Sequence, residues 1–171
     1  MKKLRVVQYG TWKYTHAAHT MLAMRGLKNL YEVVGVCEPD PVQRAQAQEQ
    51  PAYAGLRWLE EDELLQMTDL DAVIVENKET EQAAAALKFA RAGFALHVDK
   101  PCGGAMQDFD ELIRVVKEKR LPFQVGYMYR YNPAVQRALE LVRSGRLGDI
   151  TAVELQMSQC YHGDMLRFLG D

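Results

Sequence analysis

Two patterns of hydrophobic and polar positions alternate along the chain. Short apolar runs rich in β-branched residues predict buried strands, and apolar positions three and four apart predict amphipathic helices. Strands are predicted at 4–9, 31–37, 56–58, 70–75, 95–98 and 123–127. Helices are predicted at 16–27, 41–50, 60–67, 79–92, 108–120 and 133–143, with Thr15 as the N-cap of the first and Gly93 closing the fourth.

Alternation of strands and helices is typical of right-handed βαβ units. It predicts an α/β fold: a doubly wound, mainly parallel sheet of the Rossmann type with helices on both faces. Along residues 150–159, alternate side chains would face opposite sides of one long strand. This pattern indicates a half-exposed strand of an antiparallel sheet. We expect a Rossmann domain over residues 1–126. Residues 127–171 are then a linker helix and the first strand of an incomplete α+β domain.

The loop after the first strand is the first candidate for ligand binding, because ligands of doubly wound sheets bind beyond the carboxyl ends of the strands. Of a Gly-x-Gly-x-x-Gly pattern it keeps only Gly10. Trp12 stands where a bare backbone normally lets a pyrophosphate approach, and Thr15 stands where the third glycine is usual. The loop is either a phosphate site at a helix N-terminus, aided by Thr15 or Lys13, or an ordinary strand–helix turn.

Two further loops carry candidate chemistry. Glu38 ends the second strand, where an acid can accept ribose hydroxyls and repel a 2′-phosphate; the alternative is a solvated acid. Asp99, Lys100 and Pro101 follow the fifth strand. The lysine can bind a substrate hydroxyl and favour loss of its proton, with Asp99 orienting the amine. The alternative is a surface charge pair.

Composition narrows the class of partner. With 21 basic and 23 acidic residues the net charge is −2, so we expect no nucleic-acid partner. No apolar segment is long enough to suggest a membrane partner, and three scattered cysteines indicate a cytoplasmic protein with reduced thiols. His16 and His19 lack an evident third ligand, so no metal site is expected and a capping or surface role is preferred.

Three segments together resemble the Gfo/Idh/MocA oxidoreductases, which include glucose-fructose oxidoreductase and inositol dehydrogenase. Residues 70–75 (LDAVIV) resemble the family's strand "DAVVVATP", and residues 92–101 (AGFALHVDKP) resemble its "AGKHVLCEKP" signature. Residues 125–133 (VGYMYRYNP) with 144–148 (SGRLG) resemble "VGYMYRFNP…SGKLG". The second and third segments, at this spacing, are specific, and the resemblance runs from about residue 4 to 150.

The resemblance implies an NAD(P)-dependent dehydrogenase that acts on a sugar, polyol or cyclitol by hydride transfer. NAD is favoured over NADP because of the acid at position 38, and a homo-oligomer is expected for the full-length form. Lys100 is the expected catalytic residue. The expected cofactor-binding residues are Gly10, Thr11, Trp12, Thr15, Glu38, Asn77, Lys100 and Pro101, and the expected substrate-binding residues are Lys100, Tyr127 and Asn132.

Several positions depart from the family pattern. The second and third glycines are replaced, Glu76-Asn77-Lys78 stands where "ATP" is usual, and Gln82 stands where histidine is usual. The resemblance implies that the catalytic Asp and His lie in the second domain, after a Gly-Gly motif that is not reached before Asp171, so we expect the chain to be inactive alone. The alternatives are a non-catalytic sugar- or nucleotide-binding module of dehydrogenase descent, or a glycosidase that uses bound NAD.

Overall fold

A computed structural model describes residues 2–156, which fall into two units, one ending at Tyr127 and one beginning at Met128. The described part of the first unit forms one sheet, in which every pairing is parallel and the order is β3-β2-β1-β4-β5-β6. The strands are β1 (Leu4–Tyr9), β2 (Tyr31–Cys37), β3 (Trp58–Leu59), β4 (Ala72–Val75), β5 (Ala95–Val98) and β6 (Phe123–Val125). The predicted doubly wound parallel sheet is confirmed.

Helices connect the strands of the first unit. They are α1 (Ala17–Gly26), α2 (Pro41–Gln48), α3 (Glu61–Gln66), α4 (Gln82–Ala92) and α5 (Met106–Lys119), with a 3₁₀ turn at Pro51–Tyr53. Local chemistry fixes several of their ends. Asp40 caps α2 by accepting from the backbone N–H groups of Val42 and Gln43, and Gly93 ends α4 with a φ of 96°.

The sheet buries both of its faces. Val7, Val73 and Val75 pack on one face with residues of α4 and α5, such as Phe89 and Leu112. Val6, Val36 and Ile74 pack on the other face with Met21 and Met24 of α1. Successive residues of one strand thus pack on opposite faces of the sheet, as the two-residue period of a strand requires. Because both faces are buried, polar side chains are placed at the ends of the strands.

Some predicted boundaries differ from the structure. Helix α1 begins at Ala17 with His16 at the N-cap position, so the prediction of Thr15 as N-cap is wrong by one residue. The Thr15 hydroxyl instead donates to the carbonyl of Trp12 at 2.8 Å. Helix α4 begins at Gln82 rather than at 79, because the N–H of Glu81 closes a turn on the carbonyl of Lys78.

The second unit contains a 3₁₀ turn at Met128–Tyr131 and α6 (Pro133–Arg143). Asn132 caps α6 by accepting from the N–H groups of Ala134 and Val135. Residues 150–156 form no β-strand, and the rest of the strand predicted over 150–159 lies outside the described residues. In residues 2–156 no helix combines the length and the apolar character that a membrane crossing needs.

Candidate functional site

The carboxyl ends of four neighbouring strands, β2, β1, β4 and β5, gather the polar buried residues of the first unit. Thr11, Glu38 and Asp40 lie toward β2 and are called the Glu38 side. His16, Glu76, Asp99 and Lys100 lie toward β4 and β5 and are called the Glu76 side. Parallel strands end at a common edge, so these residues, distant in sequence, meet there.

Gly10 turns the chain at the end of β1. Its φ is +88°, and a Cβ atom there would lie 2.5 Å from the backbone nitrogen of Asn77. Its own N–H donates to the carbonyl of Cys37 at 2.8 Å. Only glycine fits this left-handed conformation and close approach, so the first glycine is retained for a backbone reason.

Glu38 holds the Glu38 side together. One carboxylate oxygen accepts from the Thr11 N–H at 2.7 Å and from the Thr11 hydroxyl at 2.8 Å. The other oxygen accepts from the Asp40 N–H at 3.0 Å. With 5% exposure Glu38 is not the solvated acid considered as an alternative. Since each carboxylate oxygen can accept about two hydrogen bonds, the second oxygen keeps capacity for a ligand hydroxyl.

A small cavity of about 80 Å³ lies beside Glu38. Asp40 and Gln43 line it from the β2 end, and Asn77 and Lys78 line it from the β4 end. The cavity therefore joins the acid at position 38 to the predicted cofactor residue Asn77.

Trp12 lies between the two sides of the edge. Its N–H donates to the backbone carbonyl of Glu76 at 3.2 Å. Its indole meets the Tyr14 ring edge to face with centroids 5.2 Å apart, and the Lys78 ammonium lies 5.0 Å from its ring centre. A large aromatic residue thus takes the place where a glycine is usual, and the Lys78 ammonium lies over its ring in a cation–π contact.

Glu76 on the opposite side has no comparable set of donors. It follows β4, is 0% exposed, and neither carboxylate oxygen has a hydrogen-bond partner of good geometry. Burial and the nearby Asp99 raise the pKa of Glu76 to about 7, while the hydroxyls of Thr20 and Thr15 and the charge of Lys100 partly oppose this. A buried carboxyl with a strongly perturbed pKa is a recognised mark of a functional site.

Asp99 is paired with His16. The two carboxylate oxygens lie 3.0 and 3.1 Å from the Nδ1 atom of the imidazole, and one of them accepts the His16 backbone N–H at 3.3 Å. The expectation that Asp99 orients the Lys100 amine is therefore wrong. Its carboxylate is directed instead to the residue that begins α1, 83 residues away in sequence.

Lys100 and Pro101 lie just past β5, joined by a cis peptide bond. The charge of Lys100 acts on Glu76 and opposes the rise in the pKa of that carboxyl. The loop is held from below by Gln82, which is 0% exposed. The Gln82 side-chain oxygen accepts from the N–H groups of Cys102 at 2.9 Å and Gly103 at 3.3 Å. Lys100 thus stands on a loop that Gln82 anchors.

The structure brings together Gly10, Thr11, Trp12, Thr15, Glu38 and Asn77 on the β2–β4 part of the edge, and places Lys100 with Pro101 at the β5 end. Tyr127 follows β6 and is 56% exposed. Asn132 belongs to the second unit, where it caps α6. The roles of all these residues toward ligands stay predictions.

Sequence reasoning missed three residues of this edge. Glu76 and Gln82 were noted only as departures from a family pattern, and His16 only as a capping or surface residue. The one available signal was an acid placed directly after an apolar strand, at the carboxyl edge where ligands bind. The pairing of His16 with Asp99 has no local signal.

Comparison with known proteins agrees with this geometry. Residues 4–127 match the family model described as "Oxidoreductase family, NAD-binding Rossmann fold" (Gfo/Idh/MocA). A curated relative is scyllo-inositol 2-dehydrogenase (NAD(+)) of Bacillus subtilis, which is 28% identical over 145 residues, 84% of this chain and 40% of that protein.

Two solved structures share the fold. Scyllo-inositol dehydrogenase of Lactobacillus casei, with NAD(H) and scyllo-inositol bound, superposes with a TM-score of 0.73 at 21% identity over 88% of this chain and 44% of its own. The WlbA dehydrogenase of Bordetella pertussis, in complex with NADH and UDP-GlcNAcA, gives 0.73 at 20% identity, again over 88% and 44%. The chain spans less than half the length of these three proteins. It belongs to the Gfo/Idh/MocA oxidoreductase family and carries that family's NAD-binding Rossmann fold.

Proposed function

We propose that this chain forms the cofactor-binding part of an NAD-dependent dehydrogenase acting on a CH–OH carbon of a sugar, polyol or cyclitol. The observation that supports it is the placement of Glu38 and Lys100 on one carboxyl edge, after β2 and β5. Three strand spacings separate these strands, roughly 14 Å, which suits a ligand laid across the edge from an adenosine ribose to a reactive ring.

The residues at the β2 end fit a nucleoside. The second oxygen of Glu38 has room for one more hydrogen bond, and the adjoining cavity is lined by polar groups. A carboxylate at this point accepts a ribose hydroxyl and repels a 2′-phosphate, which favours NAD over NADP. Lys78 adds a positive charge beside the loop that replaces the usual glycines.

The residues at the β5 end fit the chemical step. A bound nicotinamide supplies the two-electron acceptor or donor for the substrate carbon. Lys100 donates a hydrogen bond to the substrate oxygen, and its charge stabilises negative charge that develops there as the proton leaves. Gln82 keeps the lysine loop in place by binding two of its N–H groups.

Two further proposals concern the activity of this chain alone and the effect of Trp12 in the loop after β1. The 145 residues aligned with the Bacillus dehydrogenase cover 40% of that protein, and we expect turnover by residues 1–171 alone to be low or absent. The competing function is a module that binds a sugar or nucleotide without catalysis. Trp12 favours it, since an indole occupies a position where close phosphate approach normally needs glycine.

Calorimetry with NAD, NADH, NADP and NADPH tests the proposal. We expect NAD to bind at least about tenfold more tightly than NADP, a difference of about 1.4 kcal/mol. The variant Glu38→Gln, which keeps the shape but removes the charge, should narrow that ratio, whereas the exposed Glu49→Gln should leave it unchanged. Equal binding of NAD and NADP would contradict the assigned role of Glu38, and absence of binding by all four would favour the non-catalytic module.

A further inference from the structure

Two buried acids stand side by side at the carboxyl ends of β4 and β5. The parallel ladder pairs Val75 with Val98, and the Asp99 N–H donates to the carbonyl of Val75 at 3.0 Å. Glu76 and Asp99 are the next residues along the two strands and are therefore neighbours. Glu76 is 0% exposed and Asp99 is 3% exposed. Like charges on neighbouring strands repel each other, and burial strengthens this repulsion because little water screens it.

The two acids receive unequal support from their surroundings. The Asp99 carboxylate pairs with the His16 imidazole at 3.0 Å and accepts the His16 backbone N–H at 3.3 Å. Neither oxygen of Glu76 has a hydrogen-bond partner of good geometry, although the hydroxyls of Thr20 and Thr15 favour its charged form. The charge of Glu76 is therefore the less satisfied of the two, and a positive charge placed nearby would stabilise it.

Three other ionisable groups face Glu76. Asp99 disfavours its ionisation and Lys100 favours it, both from the end of β5. Tyr53 lies in the 3₁₀ turn after α2, and its pKa is raised to about 12, mainly by burial and also by the charge of Glu76, so the phenol stays neutral. With burial as the largest cause, the pKa of Glu76 is about 7, and the carboxyl is half ionised near neutral pH. A modest change in the nearby charge therefore changes its protonation.

Glu76 adjoins the residues to which the cofactor is assigned. Its backbone carbonyl accepts from the Trp12 N–H and from the Thr15 hydroxyl, each at 3.2 Å. Strand β4 also neighbours β5, at whose end Lys100 is assigned to the reactive ring, and one strand spacing is only about 4.8 Å. The nicotinamide ring is positively charged in NAD and neutral in NADH, and the rest of the cofactor is the same in both. A buried charge at this point therefore acts differently on the two forms.

We propose that Glu76, together with Asp99, makes this end of the edge selective for the oxidised, positively charged nicotinamide over the reduced, neutral ring. Glu76 has no exposed surface, so it acts through its charge and not by contact with the cofactor. When the cationic ring binds, the protonated fraction of Glu76 releases its proton to solvent, and the carboxylate attracts the ring. A neutral ring provides no such attraction and displaces no proton. This inference rests on the proposed function.

Calorimetry on the full-length protein, in buffers of different ionisation enthalpy, measures the protons released when NAD or NADH binds. An opposite charge near a carboxyl lowers its pKa by about 1 unit or more. A shift of about 1 unit, starting from a pKa of about 7, corresponds to release of about 0.4 proton at pH 7. NAD should then bind about fivefold more tightly at pH 8 than at pH 6. NADH carries the same phosphates and is the control, so its binding should release less than about 0.1 proton.

The variant Glu76→Gln places a neutral side chain of the same shape at this position. It should abolish the proton release and weaken NAD binding about tenfold at pH 8 but only about twofold at pH 6, where Glu76 is already mostly protonated. Its affinity for NADH should stay within about twofold of that of the unaltered protein at both pH values. The matched control is Glu81→Gln, an exposed acid that precedes α4, which should alter none of these quantities.

The outcomes separate this inference from the proposed function. Release of a proton with NAD that is absent with NADH and absent in Glu76→Gln supports the role of Glu76. Binding of NAD without proton release, or equal release with both forms, overturns that role while the proposed function stands. Release that persists in Glu76→Gln belongs to another group and also overturns it. Absence of binding of both NAD and NADH by the unaltered protein overturns the proposed function, and the role of Glu76 with it.

Discussion

Glu38 and Glu76 are buried carboxyls that directly follow β2 and β4, but their surroundings treat them in opposite ways. Glu38 receives hydrogen bonds from two N–H groups and a hydroxyl. Glu76 receives none of good geometry, and Asp99 lies near enough to repel its charge. A satisfied buried carboxylate stabilises its loops, whereas an unsatisfied one costs stability and is kept where chemistry uses it. The Glu38 carboxylate is thus held by the hydrogen bonds of its neighbours, whereas the Glu76 carboxyl is buried without such support.

Removing the Glu38 carboxylate should have the largest effect on stability. Glu38→Ala leaves the N–H and hydroxyl of Thr11 and the N–H of Asp40 without an acceptor in a buried site. Unsatisfied buried donors cost about 1–3 kcal/mol each, so we expect the free energy of unfolding to fall by about 4 kcal/mol. Urea denaturation measures this change. The exposed Glu49→Ala should cost less than about 0.5 kcal/mol, and equal effects of the two would remove the contrast between the sides.

Removing the charge of Glu76 should raise the free energy of unfolding, and only at high pH. The folded protein binds this proton with a pKa of about 7 and the unfolded chain with one of 4.5. Below pH 4.5 both states are protonated and the burial of Glu76 carries no charge penalty. The free energy of unfolding then falls as the pH rises from about 4.5 through 7. Glu76→Gln should raise the free energy of unfolding by about 3 kcal/mol at pH 8, at 1.36 kcal/mol per pH unit, and change it little at pH 4.

Urea titrations at both pH values test this prediction. The matched control is Glu81→Gln, an exposed acid that precedes α4. It should show no such difference between the two pH values. If Glu76→Gln were equally stable relative to the unaltered protein at pH 4 and pH 8, the charge of Glu76 would not be the source of the cost. The Glu76 side would then resemble the Glu38 side.

The same contrast explains which features the sequence predicts. The strand and helix positions follow from local signals: Asp40 before Pro41, Gly93 after an alanine-rich helix, and apolar runs of strand length. These signals act within a few residues, so a single sequence contains them. The two-residue β3 depends on its pairing with β2, which lies about 20 residues earlier in the chain. The later start of α4 comes from a turn, closed by the Glu81 N–H on the Lys78 carbonyl, that the apolar pattern does not mark.

The site was only partly predictable for a related reason. Gly10, Glu38 and Lys100 each stand at a strand end, and strand ends of a parallel sheet are where ligands bind. Which side chain pairs with which is set by contacts between distant loops, such as Asp99 with His16 across 83 residues. The sequence order of Asp99 and Lys100 suggested the wrong partner, because consecutive residues leaving a strand do not point to one place.

The smallest predicted effect comes from removing one of the hydrogen-bond donors of Glu38, which makes its surroundings more like those of Glu76. Thr11→Val removes the hydroxyl that donates to Glu38 at 2.8 Å but keeps the side-chain shape and the backbone N–H at 2.7 Å. Loss of one hydrogen bond to a buried carboxylate should lower the free energy of unfolding by about 1 kcal/mol, measured by urea denaturation. Thr80→Val, at an exposed position, is the control and should change it by less than about 0.5 kcal/mol. A loss as large as that of Glu38→Ala would mean that the hydroxyl alone holds the carboxylate. No loss would mean that the two N–H groups suffice, and that Glu38 has spare acceptor capacity on both oxygens for a ribose.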